Sequence, residues 1–214
     1  MTRTETQMSA RGLDKSLMTA TAIALMEEIG ADKFSVRKLA ERLGCDPMAV
    51  LYHFRNKDGL LRAMADGLTA RLALVSGDQP WADRLRQLAG QYRQIALSYP
   101  ATFALFQRYL STGRADFAHI EMVHGALVEA GLRDEDMPAV SLAWYASIIG
   151  LCMGEISGLI RPTSAQDDLE LNTLPPAEYP LTRRLQPRYR HLHATEVFDR
   201  AVDMLRAGIE AARR

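Results

Sequence analysis

The densest group of residues able to do chemistry lies between Lys33 and Arg62. Seven cations (Lys33, Arg37, Lys38, Arg42, Arg55, Lys57 and Arg62) stand there against three anions (Glu41, Asp46 and Asp58), a local excess of four. The whole 214-residue chain sets 26 Lys and Arg against 26 Asp and Glu, so the remainder is acidic by the same amount. Bulk neutrality argues against a chain that coats nucleic acid or a membrane surface, whereas a local excess suits contact with a polyanion along one edge.

Catalysis has less to work with. No G-x-S-x-G, HExxH, GxGxxG or P-loop pattern occurs. Cys45 and Cys152 lie far apart with no CxxC spacing, so neither a disulfide framework nor a zinc site has a basis. His119 and His124 would sit about 140° apart around a helix and cannot share a metal, and His191 and His193 flank a loop and a helix start. The expectation is a non-enzyme without metal or cofactor, with reduced thiols, in the cytoplasm. Met1 to Gly12 has no apolar stretch to serve as a secretory signal and reads as a frayed tail, residues 1–12.

The elements that must position the cations are helical throughout. Ala, Leu, Met, Arg, Glu and Gln recur at helical spacing, and no strand-length alternation appears, which predicts an all-α protein. Turn signals at Gly30, Gly44 to Pro47, Arg55 to Lys57, Ser76 to Pro80, Tyr99-Pro100, Ser111 to Gly113 and Gly131 to Pro138 leave about eight helices before residue 161. Pro162 to Pro187 holds five prolines and reads as a long loop with one short helix near Leu181 to Leu185, before a last helix from Ala194 to Ala212. Three short helices thus fill residues 13–58, and longer, more apolar ones fill 59–214.

Helix one, Asp14 to Ile29, has Asp14 as N-cap and a stripe of Met18, Ala22, Leu25, Met26 and Ile29. Helix two, Val36 to Leu43, follows a Ser35 cap and stops at Gly44, which takes the left-handed conformation without penalty. Asp46 then caps a third helix whose first residue is Pro47, where the missing N–H is no loss. Helix three puts Pro47, Val50, Leu51 and Phe54 on one side and Met48, Ala49, Tyr52 and His53 on the other. Two short helices joined by a glycine turn form a helix-turn-helix, and the second, about 10 Å long, fits the roughly 12 Å major groove of B-DNA. Lys57, with the N-terminal amides of the helix it opens, suits a phosphate, and Arg37 can reach a base edge or a phosphate.

The run from Phe34 to Gly44, followed by Leu51-Tyr52-His53-Phe54-Arg55-Asn56-Lys57-Asp58-Gly59-Leu60-Leu61, resembles the DNA-binding signature of TetR-family regulators: a Leu-Ala-x-x-Leu-Gly helix, a Tyr-x-x-Phe helix, then Asn-Lys-x-x-Leu-Leu. The resemblance implies that Arg37, Met48, Ala49, Tyr52 and His53 face bases or the groove wall, and that Ser35 and Lys57 hold phosphates. Lys38 adds to the positive edge, and Arg3 and Arg11 are a further candidate arm beside the alternative of a free tail.

Helix four, expected from Lys57 to about Leu74, carries Leu60, Leu61, Met64, Leu68 and Leu72 into the second domain without a linker. Trp81 to Leu97, Pro100 to Leu110 and Asp116 to Ala130 read as further helices. Ala139 to Ile160 has Glu155 as its only charge and is long enough for a bilayer. Glu155, the serines and glycines, and the acidic flank of Asp134 to Asp136 oppose a membrane span. A helix apolar all round is instead covered on both sides. Ser147, Gly150, Gly154 and Gly158 would let a second helix approach closely. In the last helix, Val197, Phe198, Ala201, Val202, Met204, Leu205, Gly208 and Ile209 span an arc of about 160°. A four-helix homodimer interface is the economical account, and a helix-turn-helix dimer reads half-sites of a palindromic duplex about 34–36 Å apart. Phe198 to Glu210 is similar to the terminal helix of the family's tetracycline-repressor branch, whose last long helices pair across the dimer.

Tyr99, Phe103, Phe106, Gln107, Met122, Trp144, Ile148, Cys152 and Glu155 fall between the middle helices, as simple core or as the ligand cavity that the resemblance implies. Family members that bind magnesium-chelated tetracycline use a histidine in the sixth helix; residues 99–110 have none, which leaves a mainly apolar or aromatic effector as the expectation. Glu155 is either paired with an arginine across the dimer or the polar anchor of the ligand. The function expected is a DNA-binding regulator, a repressor released by a small molecule, with an activator, a ligand-independent regulator or a helical-bundle enzyme as alternatives.

Overall fold

The computed structural model describes residues 14–212, so Arg3 and Arg11 lie outside the described residues. It shows eleven α-helices and no strand among those residues. Three helices open the chain: α1 (Lys15–Ile29), α2 (Val36–Leu43) and α3 (Pro47–Phe54). Their ends follow local chemistry. Asp14 accepts from the Leu17 amide at 2.6 Å, Ser35 from the Lys38 amide at 3.3 Å and Asp46 from the Met48 amide at 2.7 Å. Gly44 closes α2 at φ +65°, a left-handed cap that a side chain would strain. Met18, Ala22, Leu25 and Met26 of α1 are buried with Leu39 and Ala40 of α2 and Val50 and Phe54 of α3.

Helix α4 (Lys57–Thr69) belongs to both halves of the molecule: it packs on α1 and α3 at one end and on α7 (Arg114–Glu129) beyond. It ends at Thr69, five residues short of the expected end, yet Leu72 and Val75 still fold inward. The rest of the body comprises α5 (Trp81–Ser98), α6 (Pro100–Phe103), α8 (Met137–Ile156) and α11 (Ala194–Ala211). Helix α6 is a single turn that tightens into a 3-10 turn at Ala104–Gln107, so the helix expected from Pro100 to Leu110 is broken halfway. Helix α8 is long and apolar enough to span a bilayer, but it packs against α5, α7 and α11, with Trp144, Ile148 and Cys152 buried.

The stretch after residue 162 corrects the expected loop, although the short helix expected near Leu181 to Leu185 is present with longer bounds. It holds α9 (Ala165–Asn172), a 3-10 turn at Pro176–Glu178 and α10 (Pro180–Tyr189). Proline was a poor guide because Pro176 and Pro180 occupy first turns, where no N–H is needed. A positive signal was present: Ser164 and Asp167 cap each other's backbone amides at the start of α9. This arm buries none of its helical residues. It is held by bonds within itself, from Arg183 to the Leu171 carbonyl at 2.6 Å and from Arg190 to Asp168 at 2.8 Å.

Head and body are joined by more than α4. Glu27 of α1 accepts from the amides of Ala101 and Thr102, at 3.1 and 2.7 Å, capping α6. At the α3–α4 corner Arg55 has φ +68°, and Gly59 lies so close beneath α3 that a Cβ there would stand 2.1 Å from the Phe54 carbonyl oxygen. Replacing Gly59 by Ala should lower unfolding free energy by about 1–3 kcal/mol, the usual range for overpacking. Urea denaturation measures it, and a variant as stable as the parent would show that the corner yields without cost.

Candidate functional site

The outer face of α3 is open. Met48 is 69% and Tyr52 85% exposed, His53 is exposed and Ala49 half-buried, while Val50 and Phe54 are buried beneath. The buried side is narrower than the expected one, since Pro47 is exposed and Leu51 only half-buried. The Tyr52 and His53 rings meet edge-on at 5.8 Å, a ridge of apolar and polar groups that none of the described residues covers.

Around that ridge stand the cations. Arg37 pairs with Glu41 at 3.0 Å, both well exposed, and such an i,i+4 pair is worth only about 0.3–0.5 kcal/mol, so a phosphate or base edge can replace it. Lys38 donates from Nζ to the Lys33 carbonyl at 3.0 Å. Ser35 uses its oxygen as the cap of α2, which leaves its hydroxyl proton to donate outward. Lys57 is exposed at the first position of α4, where Asn56 Oδ1 takes the Gly59 amide at 2.8 Å. The first-turn amides of a helix have no partner within it and favour an anion. Of the eight residues expected at a nucleic-acid face, Arg37, Lys38, Met48, Tyr52, His53 and Lys57 are exposed, and Ser35 and Ala49 are half-buried.

A second feature lies in the body. Helices α5, α7 and α8 and the stretch after Phe106 enclose a cavity of about 240 Å³. Tyr92, Phe106, Tyr109, Ile120, Tyr145 and Ile149 form most of its wall, with Asp116, Ser141 and His124 as polar members. Tyr92 meets Phe106 and Tyr145 edge-on at 5.7 and 6.2 Å. Of the eight residues expected from sequence, Phe106 lines this cavity. Phe103, Trp144, Ile148 and Cys152 are packed in the core, Met122 accepts the Val75 amide on its sulfur at 3.2 Å, and Gln107 is exposed. Periodicity finds the inward half of α8 but not which part of it meets a void: Ser141, Tyr145 and Ile149 do, one step around the helix from Trp144, Ile148 and Cys152. Burial pushes the Cys152 thiol up to about 12, which makes it unreactive. Glu155 is held by Arg93 of its own chain through two bonds of 2.7 Å, and Arg93 also reaches Thr195 at 2.9 Å. It serves as a clasp between α5, α8 and α11, neither in the cavity nor awaiting an arginine from another subunit.

Tyr109 links the two features. Its ring lines the cavity while its hydroxyl donates to Asp58 Oδ1 at 2.8 Å, one residue beyond Lys57. Arg62 bonds the other carboxylate oxygen at 3.1 Å, Arg108 stands 3.6 Å from Oδ1, and both guanidinium groups lie over the Tyr109 ring at 5.1 and 5.3 Å. The hydrogen bond from Tyr109 is the largest of the effects that hold the Asp58 carboxyl below its ordinary range; desolvation opposes it and the two arginines add to it. Sequence carried no sign of this pair, 51 residues apart.

The residues expected at a dimer interface divide. Phe198, Val202 and Ile209 are buried within their own subunit, and Gly154 is closed by Ile160 at 3.1 Å. Gly158 lies past the end of α8 at φ +78°. Ser147 and Leu205 are half-buried and Gly150 is exposed. The uncovered face of α8 holds Ala139, Leu142, Ala143, Ala146 and Gly150, and Met204 and Gly208 of α11 are exposed as well. The apolar arc of α11 is thus divided, with Phe198, Val202 and Ile209 turned into the subunit and Met204 and Gly208 exposed.

Comparison with known proteins agrees with this layout. Residues 19–64 match the family model of bacterial regulatory proteins, tetR family, and residues 75–213 match the tetracyclin repressor-like C-terminal domain. The tetracycline repressor protein class A from transposon 1721 of Escherichia coli is 37% identical over 90 residues, 41% of this chain and 42% of that protein. An HTH-type transcriptional regulator of Saccharopolyspora erythraea is 27% identical over 144 residues, 67% of this chain and 61% of the relative. The chain thus spans about two fifths to three fifths of these relatives. ActR from Streptomyces coelicolor, solved in complex with actinorhodin, has the same fold, with a TM-score of 0.83 over 94% of this chain and 99% of ActR at 20% identity.

Replacing Lys57 by Ala should weaken binding to every duplex alike and reduce the slope of log K against log salt by about 0.9. Replacing Tyr52 or Arg37 by Ala should also flatten the preference among sequences, by about 1–3 kcal/mol at the positions they read. Anisotropy titrations across salt concentrations and duplex variants check both, and parent-like behaviour of all three variants would remove this face from consideration.

Proposed function

The chain belongs to the TetR family of bacterial regulatory proteins, and we propose that it is a homodimeric repressor whose two α3 helices hold successive major grooves of a palindromic operator until a small, mainly aromatic effector enters the cavity of the body. The observation that carries this reading is Tyr109, a wall of the cavity that is hydrogen-bonded to the first turn of α4 beside Lys57. A ligand that shifts the Tyr109 ring pulls on Asp58 and, through the tight Gly59 corner, on the end of α3. Its leverage is its differential affinity: turning a 1:99 equilibrium into 99:1 takes about 5.5 kcal/mol. The ActR complex with actinorhodin supports ligand response in this fold.

The exposed face of α8, Ala139, Leu142, Ala143, Ala146 and Gly150, together with the exposed Met204 and Gly208 of α11, supports pairing of two chains, because Ala and Gly let helices approach closely while Leu142 and Met204 offer apolar area to bury. Pairing through that face sets the distance between the two reading helices, which must match about one turn of duplex, 34–36 Å. The cavity holds His124 but residues 99–110 hold no histidine, and tetracycline is not the ligand proposed.

Selection from random duplexes should return a palindrome bound by two chains, with native mass spectrometry giving the stoichiometry. Enrichment of an asymmetric site bound by one chain would overturn the dimer. Replacing Tyr109 by Phe keeps the ring and removes the bond to Asp58; it should change affinity for the selected operator about three- to tenfold without lowering helix content. An unchanged affinity would mean that cavity and reading head are not linked through this tyrosine.

A further inference from the structure

Two polar groups of the cavity are not explained by packing. The Tyr145 hydroxyl is buried with no hydrogen-bond partner among the described residues, although its residue is only 7% exposed. Leaving such a donor unmade costs about 1–3 kcal/mol, so a buried tyrosine normally finds a partner. Asp116, in the first turn of α7 and 8% exposed, accepts one bond, from the Thr112 amide at 3.0 Å, and lines the same cavity. Burial first, and then the charge of Asp116, hold the Tyr145 phenol above its ordinary range. Burial, Tyr145 and Asp116 do the same for Tyr92, so both phenols remain protonated donors at neutral pH.

The remaining polar wall is made of neutral hydroxyls, at Ser111 and Ser141, and the His124 imidazole; no lysine or arginine lines the space. An incoming carboxylate would meet Asp116 without a fixed cation to pair with, which is costly in an apolar enclosure. A hydroxyl can do what neither a carboxylate nor a protonated amine can: donate its proton to Asp116 and accept from Tyr145 with the same oxygen. About 240 Å³ lies below the roughly 300–1,000 Å³ typical of drug-sized ligands, which limits the skeleton to one or two rings. The edge-on tyrosine and phenylalanine rings suit a flat aromatic body.

Resting on the effector reading above, we propose that the cavity is a phenol site: it takes a one- or two-ring aromatic hydroxyl compound, held between Asp116 and the Tyr145 hydroxyl, and excludes aromatic carboxylates of the same size.

Three probes of one skeleton test it on the full chain by calorimetry: 2-naphthol, 2-(aminomethyl)naphthalene and 2-naphthoate. The expected result is one 2-naphthol per subunit, bound at least tenfold more tightly than 2-naphthoate. Tyr145→Phe should weaken 2-naphthol about tenfold and leave the amine, which has no acceptor, within twofold; because the hydroxyl has no partner in the unliganded chain, this variant should melt no lower than the parent. Asp116→Asn, which keeps an acceptor for the Thr112 amide, should narrow the gap between 2-naphthol and 2-naphthoate. Equal or tighter binding of 2-naphthoate, binding of none of the three, or 2-naphthol binding indifferent to Tyr145→Phe would each overturn the phenol site. If 2-naphthol binds as described yet leaves affinity for the selected operator unchanged, the site stands and it is the effector reading that fails.

Discussion

Glu27 and Asp58, two carboxylates of the first helices, hold opposite ends of one stretch of the body, from the amides of Ala101 and Thr102 to the hydroxyl of Tyr109. The stretch between them, α6 and the tight turn after it, gives Phe106 and Tyr109 to the wall of the cavity. The first helices therefore do not rest on the body through α4 alone; they are fastened at two further points to this one stretch. Such polar fastenings are directional, with a narrow range of lengths over which they count, and so resist sliding better than an apolar contact of the same area. The same stretch is kept short of regular helix by its 3-10 turn, and Ser111 just beyond it has φ +52°, a conformation that strains a side chain.

The apolar core runs unbroken from α1 through α4 into α5, α7 and α8, so the two halves share a single packed interior. Three clasps hold its periphery. Arg84 reaches Glu129 between α5 and α7, Arg86 reaches Asp203 between α5 and α11, and Arg93 joins Glu155 and Thr195. Arg93 and Glu155 are each about 15% exposed or less, so removing one would leave the other charge buried and unpaired. These bonds fix α8 and α11 to α5 and leave the outer faces of both helices uncommitted.

Local chemistry made the head readable. Asp14, Ser35, Gly44, Asp46 and Pro47 each act within four residues of themselves, and their types alone fix where helices begin and stop. Asn56 belongs with them, a cap that the motif concealed by presenting it as part of a signature. Long-range geometry was not readable. Nothing in the spacing of Asp58 and Tyr109, or of Arg93 and Glu155, announces that they meet. The cavity failed for a related reason: apolar periodicity separates inside from outside but assigns no residue to a gap, so Trp144 and Ile148 looked as suitable as Tyr145 and Ile149. Asp116 escaped notice because an acid in a first helical turn has an ordinary explanation in the helix dipole. On α11 the periodicity marks an apolar arc of about 160° but not which part of it the subunit covers: Phe198, Val202 and Ile209 are buried, Met204 and Gly208 exposed.

The arm of α9 and α10 bears on how this chain can vary. Its ion pairs and capping bonds close upon themselves and none of its helical residues is buried, so no core side chain depends on its presence within the subunit. Surface segments of this kind tolerate insertion, deletion and exchange far better than packed helices do. Between Arg161 and Leu192 the protein thus has a region in which length and sequence can drift while the reading head, its fastenings and the cavity stay under constraint, which makes it the natural place for related chains to diverge in size.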